Sequence, residues 1–199
     1  NGPETGNPFT DVILRAEFRM NNRILKPEGF YDGQGIYKIR FMPDAVGEWA
    51  YVTYSNIKEL NGKTGKFICS PARLGNHGTV GVRDVFHFGY ADGTPFYPVG
   101  TTCYAWVWQG DELVSETLQT LSSTAFNKIR MCIFPKVYSI YINNEPPLYP
   151  YEGSKEKGWD FQRFNPAFFQ YFEKQLNELK KLGIEADVIL FHPYDWGKW

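Results

Sequence analysis

The sequence predicts two domains of different class, an all-β sandwich at residues 1–81 and part of an α/β barrel at residues 82–199. Short runs with period-two alternation, separated by turn signals, fill the first range. In the second range the pattern changes to strand, helix, strand, helix, strand, which is typical of parallel α/β architecture. A barrel of eight strand-helix units needs about 250 residues. We therefore expect the second range to form the first three units of a (β/α)8 barrel, and the chain to be an amino-terminal fragment of a larger protein.

The first domain is predicted from four candidate strands and the turns between them. Asp32–Gly33 and Asn61–Gly62 are dipeptides that favour tight reversals of the chain, and the candidate strands are residues 12–19, 35–41, 48–54 and 65–69. Several short strands at this spacing indicate a β-sandwich. Residues 43–49 resemble the strand-to-strand corner of immunoglobulin-like modules, in which a Trp enters the core. We therefore expect Trp49 to be buried.

The second domain begins with a predicted hairpin. Its clearest signal is the Asp92–Gly93 turn within residues 85–100, and we place the domain junction just before it. After the hairpin, the sequence predicts three parallel strands, at residues 96–101, at residues 126–134 and from residue 184 onward.

Two helices separate these strands. The first is predicted over residues 111–122, with an apolar side formed by Leu113, Val114, Leu118 and Leu121. The second has Asn165 as its N-cap, Pro166 at its first position and Gly183 as its stop. Its apolar stripe is predicted to pack against the sheet and consists of Phe168, Phe172, Leu176 and Leu179.

Composition excludes several classes of protein. The net charge of -1 gives no polyanion-binding signature, so we expect neither a nucleic-acid partner nor a membrane surface. Cys69, Cys103 and Cys132 have no pairing framework and no CxxC spacing, which favours a reducing, cytoplasmic location over secretion. The three histidines lack the spacing of metal ligands, and no nucleotide-binding fingerprint occurs. No metal and no cofactor are predicted.

Polar and aromatic side chains follow each predicted barrel strand, where the carboxyl ends of parallel strands place functional residues. Aromatic rings stack on the C–H surfaces of sugars, while neighbouring polar groups bind hydroxyls. Packing at the barrel rim is the alternative explanation for the same residues. The pattern predicts a sugar-binding site formed by Tyr104, Trp106, Lys136, His192, Tyr194, Asp195 and Trp196.

Arg130 stands in the middle of a predicted strand, where a charged side chain must face solvent or point inward with a partner. Helices cover the outside of a barrel, so we expect Arg130 to point inside. Residues 126–130 resemble the second strand of cellulase-type retaining glycosidases, and residues 188–192 resemble their third. This resemblance implies that Arg130 supports a nucleophilic carboxylate and that His192 lines the sugar subsite.

A second resemblance covers nearly the whole chain. It is carried by residues 6–9, 29–33, 40–49, 76–78, 90–95, 98–106, 130–136 and 191–195. These segments resemble a bacterial family of predicted glycoside hydrolases, which pair an immunoglobulin-like domain of unknown function with an apiosidase-like barrel. The resemblance implies an acid/base carboxylate after the fourth strand and a nucleophile after the seventh. Both are expected beyond Trp199, so we expect the fragment alone to be inactive.

Residues 144–146 match the short Asn-Glu-Pro motif that carries the acid/base in cellulase-like barrels. Glu145 lies after the second predicted strand, whereas that motif belongs after the fourth. We therefore expect the loop of residues 137–164, which also carries Glu152 and Asp160, to fold over the site and shape it.

The sequence thus predicts a glycosidase that uses two carboxylates, acts on a carbohydrate and retains configuration. The alternative is a non-catalytic sandwich module that binds carbohydrate or docks a domain. That alternative needs Tyr31, Tyr51 and Tyr54 to share one exposed face. A third option, favoured for the first domain, is that the sandwich only supports the barrel.

Overall fold

The computed structural model describes residues 6–135 and 145–192, which form mostly β-structure together with two α-helices. The strands are β1 (Leu14–Met20), β2 (Arg23–Leu25), β3 (Gly29–Tyr31), β4 (Tyr37–Ile39), β5 (Gly47–Ser55), β6 (Thr64–Cys69), β7 (Val80–Arg83), β8 (His87–Tyr90), β9 (Pro95–Phe96), β10 (Gly100–Thr102), β11 (Lys128–Cys132), β12 (Tyr151–Ser154), β13 (Gly158–Phe164) and β14 (Glu185–Ile189). The helices are α1 (Asp111–Ser122) and α2 (Pro166–Lys181), and a short 3-10 helix covers Trp106–Trp108.

The described residues divide into two compact units. Unit 1 contains residues 6–76 and 151–166, and unit 2 contains residues 77–135, 145–150 and 167–192. The hairpin β12–β13, which lies between β11 and α2 in the chain, therefore belongs to unit 1. The assignment of residues 1–81 and 82–199 to a sandwich and a barrel remains a prediction.

The main sheet of unit 1 is antiparallel, in the order β2-β1-β5-β6. Side chains alternate between the faces of a strand, and one face of this sheet packs its core residues Ala16, Phe18 and Trp49 against Phe41 and neighbouring apolar groups. The rings of Phe18 and Phe41 stack 3.9 Å apart, and the Trp49 indole donates a hydrogen bond to the Ala45 carbonyl over 3.0 Å. Trp49 has no exposed surface, as the sequence predicted.

The hairpin β12–β13 packs against the amino-terminal stretch of unit 1. The Asn7 side chain donates to the Gln162 carbonyl over 3.0 Å, and the Arg163 guanidinium donates to the Gly6 carbonyl over 2.9 Å. The ring of Phe9 contacts Phe164 edge to face at 5.7 Å. Residues separated by more than 150 positions thus form one packed unit.

Unit 2 contains a parallel sheet in the order β10-β11-β14, with α1 and α2 contributing to its core. Both predicted helices are confirmed, and the bounds of α1 agree with the prediction at each end. The buried residues of α2 are Phe168, Phe172, Gln175 and Leu179. Leu113 is 45% exposed, so its predicted place on the apolar side of α1 is wrong.

A second sheet of unit 2 is antiparallel, in the order β7-β8-β9. The predicted hairpin is confirmed, since the Asp92–Gly93 turn joins β8 to β9 and Gly93 has a φ of 92°. The single strand predicted at residues 96–101 is two strands, because Pro98 interrupts the chain between β9 and β10. Asn127 secures the start of β10, with its side chain bonded to the backbone of Tyr97 and Val99 at 2.8 Å each.

Candidate functional site

The parallel sheet of unit 2 has two chemically different faces. Ile129, Met131 and Val188 point into the apolar core with the helices. Arg130 and Asp187 alternate with these residues along β11 and β14, so they lie on the opposite face. That face carries charge, whereas the expectation that Arg130 points into a barrel stays a prediction. In the described structure it is open, with 54% of the Arg130 side chain exposed.

Strand register places three polar residues in one row across this face. Thr102 of β10 lies opposite Arg130 of β11, which lies opposite Asp187 of β14. One carboxylate oxygen of Asp187, Oδ2, lies 3.2 Å from Arg130 Nε and 3.0 Å from Lys128 Nζ. The hydrogen bond from Lys128, together with the charges of both cations, holds the pKa of Asp187 below its usual range. Asp187 is therefore ionised at neutral pH.

An open depression of about 300 Å³ lies over this row. Its lining residues are Pro98, Gly100, Thr101, Thr102, Lys128, Arg130 and Asp187. Gly100 has no side chain, and a Cβ placed there would lie 3.2 Å from the Lys128 carbonyl. The depression is large enough for a small polar group, and its charged residues can bind one.

At the carboxyl ends of the same strands, the structure brings together two predicted site residues. The rings of Tyr104 and His192 lie 5.7 Å apart at 62°, and both residues are half-buried. Backbone bonds hold this end of the sheet: Cys103 N–H donates to the Arg130 carbonyl, and Cys132 N–H donates to the Tyr104 carbonyl. Burial raises the pKa of the Cys103 thiol.

Trp106, another predicted sugar-binding residue, lies in the 3-10 helix and is only 5% exposed. Its neighbour Trp108 is also buried, stacks on Phe168 at 4.1 Å and donates its indole N–H to the Ile133 carbonyl. The indole N–H of Trp106 is buried and has no hydrogen-bond partner within the part of the chain that the structure describes. The side chain thus contributes to the core of unit 2.

The other predicted site residues lie outside the described residues: Lys136, Tyr194, Asp195 and Trp196. Glu145 is described and accepts a hydrogen bond from the Tyr149 hydroxyl. Glu152 and Asp160 face each other across the hairpin β12–β13, which belongs to unit 1. The predicted closure of this loop over the site remains a prediction.

Asp187 is the functional candidate that the sequence analysis missed. It stands in a run of residues that reads as an ordinary strand, and its acidic side chain alternates with the core residues Ala186 and Val188. A charged residue at mid-strand was the signal that identified Arg130, and the same test applied to β14 would have found Asp187.

No group of side chains able to hold a metal ion occurs among residues 6–135 and 145–192. Within these ranges, no helix has the length and apolar character needed to cross a membrane.

Tyr31, Tyr51 and Tyr54 do not share a face. Tyr51 packs against the core with its ring 5.5 Å from that of Phe18, and Tyr54 is 40% exposed on the other side of β5. Tyr31 contacts Phe9 and Tyr37. The exposed aromatic platform required by the binding-module alternative is not formed by these residues.

Comparison with known proteins finds two kinds of similarity. Residues 1–56 match the family described as "Domain of unknown function (DUF5060)". The whole chain is similar to a protein from Bacteroides vulgatus described as a "putative glycoside hydrolase", with 50% sequence identity and a TM-score of 0.93. This chain is fully covered by the match and spans 40% of that protein's length.

A second structure, described as "Glycoside hydrolase", aligns with 57% of this chain and 25% of its own, at 15% identity and a TM-score of 0.41. That similarity is too weak to support an argument. Curated protein sequences gave no significant match.

Proposed function

We propose that this chain is the amino-terminal part of a glycoside hydrolase, in which an immunoglobulin-like sandwich precedes the first three units of a (β/α)8 barrel. One observation carries the proposal: the chain shares 50% of its residues and its backbone course with a structure described as a putative glycoside hydrolase, which is longer than this chain. The parallel order β10-β11-β14, with a helix after β10 and another after β11, is compatible with the start of a barrel.

The proposed reaction is hydrolysis of a glycosidic bond with retention of configuration. One carboxylic acid protonates the leaving oxygen, and a second carboxylate attacks the sugar to form a glycosyl-enzyme intermediate that water then cleaves. The resemblance to apiosidase-like barrels assigns both carboxylates to parts of the protein beyond Trp199. The residues of this chain are proposed to bind the sugar and to support the nucleophile.

Arg130 is proposed to support the nucleophile. Its guanidinium lies on the open face of the sheet, and hydrogen bonds from a cation hold a carboxylate ionised. Tyr104 and His192 are proposed to line the sugar subsite, because their rings already lie side by side at the carboxyl ends of β10 and β14. Lys136, Tyr194, Asp195 and Trp196 are proposed to complete it. Trp106 is proposed to act there as a supporting residue, since little of it is exposed.

The proposal is tested by assaying a panel of aryl glycosides with the 199-residue chain and with a protein extended to the length of the Bacteroides vulgatus relative. Activity confined to the longer protein is the expected result. Equal activity in both would place the catalytic carboxylates within this chain and direct attention to Glu145, Glu152, Asp160 and Asp195. Inactivity of both on every glycoside would count against the proposal.

The role of Arg130 is tested separately in the longer protein. Arg130→Ala should lower kcat by about a hundredfold with a smaller change in KM, because its donors act on charge that develops during the reaction. Arg23→Ala is the matched control, since Arg23 pairs with Asp44 on the surface of unit 1. A change in KM alone would contradict the assigned role.

A further inference from the structure

We propose that Asp187 is a positioning residue, which fixes the Arg130 guanidinium so that its terminal nitrogens can bind a second carboxylate. The identity of that carboxylate, a side chain of the protein's own catalytic machinery, rests on the proposed function. The positioning of Arg130 by Asp187 does not, because it follows from distances and register within unit 2.

The contact between the two side chains uses the inner nitrogen of the guanidinium. Asp187 Oδ2 lies 3.2 Å from Arg130 Nε. A guanidinium also carries N–H donors on its two terminal nitrogens, arranged in a planar fork that matches a carboxylate. The contact at Nε orients the group from its inner side, and 54% of the Arg130 side chain remains exposed. Asp187 is the ion-pair partner that the described residues provide for Arg130.

Lys128 gives the arrangement its charge balance. Its Nζ lies 3.0 Å from the same oxygen of Asp187, so one carboxylate is shared by two cations. If Arg130 alone faced Asp187, the pair would be neutral and would attract a further anion only weakly. Lys128, Arg130 and Asp187 together carry a net charge of +1, whereas Glu185, which pairs with Lys128 on the same face, lies two residues further along β14 from the guanidinium.

The backbone makes this geometry difficult to distort. Arg130 and Asp187 are direct partners in the parallel pairing of β11 with β14, and Arg130 is also paired with Thr102 of β10. Ile129 and Met131 flank Arg130 in sequence and are completely buried on the other face. The strand cannot rotate without exposing them, so the stem of Arg130 starts from a rigid position.

The first experiment measures the Arg130 Nε–H directly by NMR, in the 199-residue chain labelled with 15N-arginine. The resonance is assigned by its loss in Arg130→Lys. We expect its exchange with water to be at least about tenfold faster in Asp187→Ala than in the original chain, because a charge-assisted hydrogen bond is lost. Asp187→Asn has nearly the same shape and keeps one oxygen acceptor, so an intermediate rate is expected.

The second experiment uses acetate as the probe of carboxylate binding, with sodium chloride at the same ionic strength as the control. Acetate should shift the terminal N–H resonances of Arg130, and the apparent affinity should fall by about fivefold or more in Asp187→Ala and in Lys128→Met. Glucuronate should bind no more tightly than acetate if the natural carboxylate belongs to the protein. A tenfold preference for glucuronate would overturn that assignment in favour of an acidic substrate.

The matched control is Asp44→Ala, which removes a carboxylate 2.7 Å from Arg23 in unit 1 and should change neither readout. Unchanged Nε–H exchange in Asp187→Ala would overturn the positioning role. Failure of acetate to shift Arg130 in the original chain would overturn the carboxylate site. Neither readout requires glycosidase activity, so a failure of the proposed function remains distinguishable from a failure of this inference.

Discussion

Asp92 is an exposed residue whose ionised carboxylate is stabilised by hydrogen bonds from its neighbours. One of its carboxylate oxygens accepts the Thr94 backbone N–H over 2.9 Å, and the other lies 2.7 Å from His77 Nδ1. The hydrogen bond from Thr94, followed by that from His77, lowers the pKa of Asp92 to about 2. These contacts hold the turn between β8 and β9. Protonation of Asp92 should therefore weaken the hairpin.

This pKa predicts a specific acid sensitivity. A carboxyl whose pKa is lower in the folded than in the unfolded protein stabilises the fold above the unfolded pKa, and this stabilisation is lost as the pH falls through the folded pKa. The melting temperature of Asp92→Asn should lie below that of the original chain at neutral pH. The difference should shrink between about pH 4 and pH 2, as thermal unfolding at several pH values will show.

Asp84→Asn is the control for the loss of one charge, because Asp84 is an exposed residue of the turn that joins β7 to β8. If the difference between Asp92→Asn and the original chain were independent of pH, the contacts of Asp92 would not be the cause.

At the scale of single elements, α2 shows how local signals determine a helix. It begins at Pro166, whose ring suits the first helical position, and ends at Lys181 with Lys180 and Lys181 near the negative end of the helix dipole. After the end, Gly183 N–H donates to the Lys180 carbonyl and Ile184 N–H donates to the Leu179 carbonyl, both over 3.0 Å. These two bonds form a Schellman motif, which requires Gly183 to adopt its φ of 71°.

Gly183→Ala is therefore expected to lower the free energy of unfolding by about 1–2 kcal/mol, because a side chain disfavours the left-handed conformation. Chemical denaturation provides the measurement. Gly81→Ala is the matched control in unit 2, since no atom lies within 4 Å of its added Cβ and its φ is not in the left-handed region. Equal losses for the two variants would contradict the assigned cause.

The hairpin β12–β13 is an element whose place only long-range contacts explain. Phe9 is central to its packing, with ring contacts to Phe164 at 5.7 Å and to Tyr31 at 5.1 Å. The contacts of Asn7 with Gln162 and of Arg163 with Gly6 join the residues that precede Phe9 and Phe164 in the chain. The hairpin and the amino-terminal stretch should therefore loosen together.

Phe9→Ala should lower the free energy of unfolding of unit 1 by about 2–3 kcal/mol, since a half-buried ring is removed from its contacts. It should also speed proteolytic cleavage within residues 151–164, which mass spectrometry can locate. Phe161→Ala is the control, because Phe161 lies on the same hairpin and is 56% exposed. Faster cleavage in Phe161→Ala than in Phe9→Ala would contradict the proposed packing.

At the scale of the whole molecule, unit 2 exposes apolar side chains on β7 and in the turn that joins β7 to β8. Val82, Val85 and Phe86 are 68%, 77% and 88% exposed, and Val85 has a φ of 69° that is rare for a β-branched residue. Large exposed apolar patches on a soluble protein favour association. We expect the 199-residue chain to self-associate through this surface as its concentration rises.

Phe86→Ser should weaken that association by at least about tenfold, because burial of a Phe side chain contributes about 2 kcal/mol. Sedimentation velocity over a range of concentrations measures the effect. Leu74→Ser is the control, since Leu74 is fully exposed in unit 1 and lies outside the patch. An equal effect of the two substitutions would show that the surface of β7 and β8 is not the contact.

Much of the fold could be predicted from the sequence wherever the signal is local. The bounds of both helices, the burial of Trp49 and the turn at Asp92–Gly93 follow from caps, periodicity and turn chemistry. Short strands such as β2 and β3 were not predicted, because three residues give no measurable alternation. At the candidate site, Tyr104 and His192 each follow a predicted strand. The sequence therefore predicted that they lie at the same end of the sheet, and the structure brings their rings into contact there.

The sequence by itself determined where helices begin and end, which residues are apolar enough to form a core, and that Arg130 stands at mid-strand. Only the tertiary structure decided that the hairpin at residues 151–164 packs with residues 6–9, and that Asp187 lies opposite Arg130. The physical reason is the range of the interactions. Caps and periodicity act over a few residues of one element, whereas strand register and ring packing depend on residues far apart in the chain, which only folding brings within contact distance.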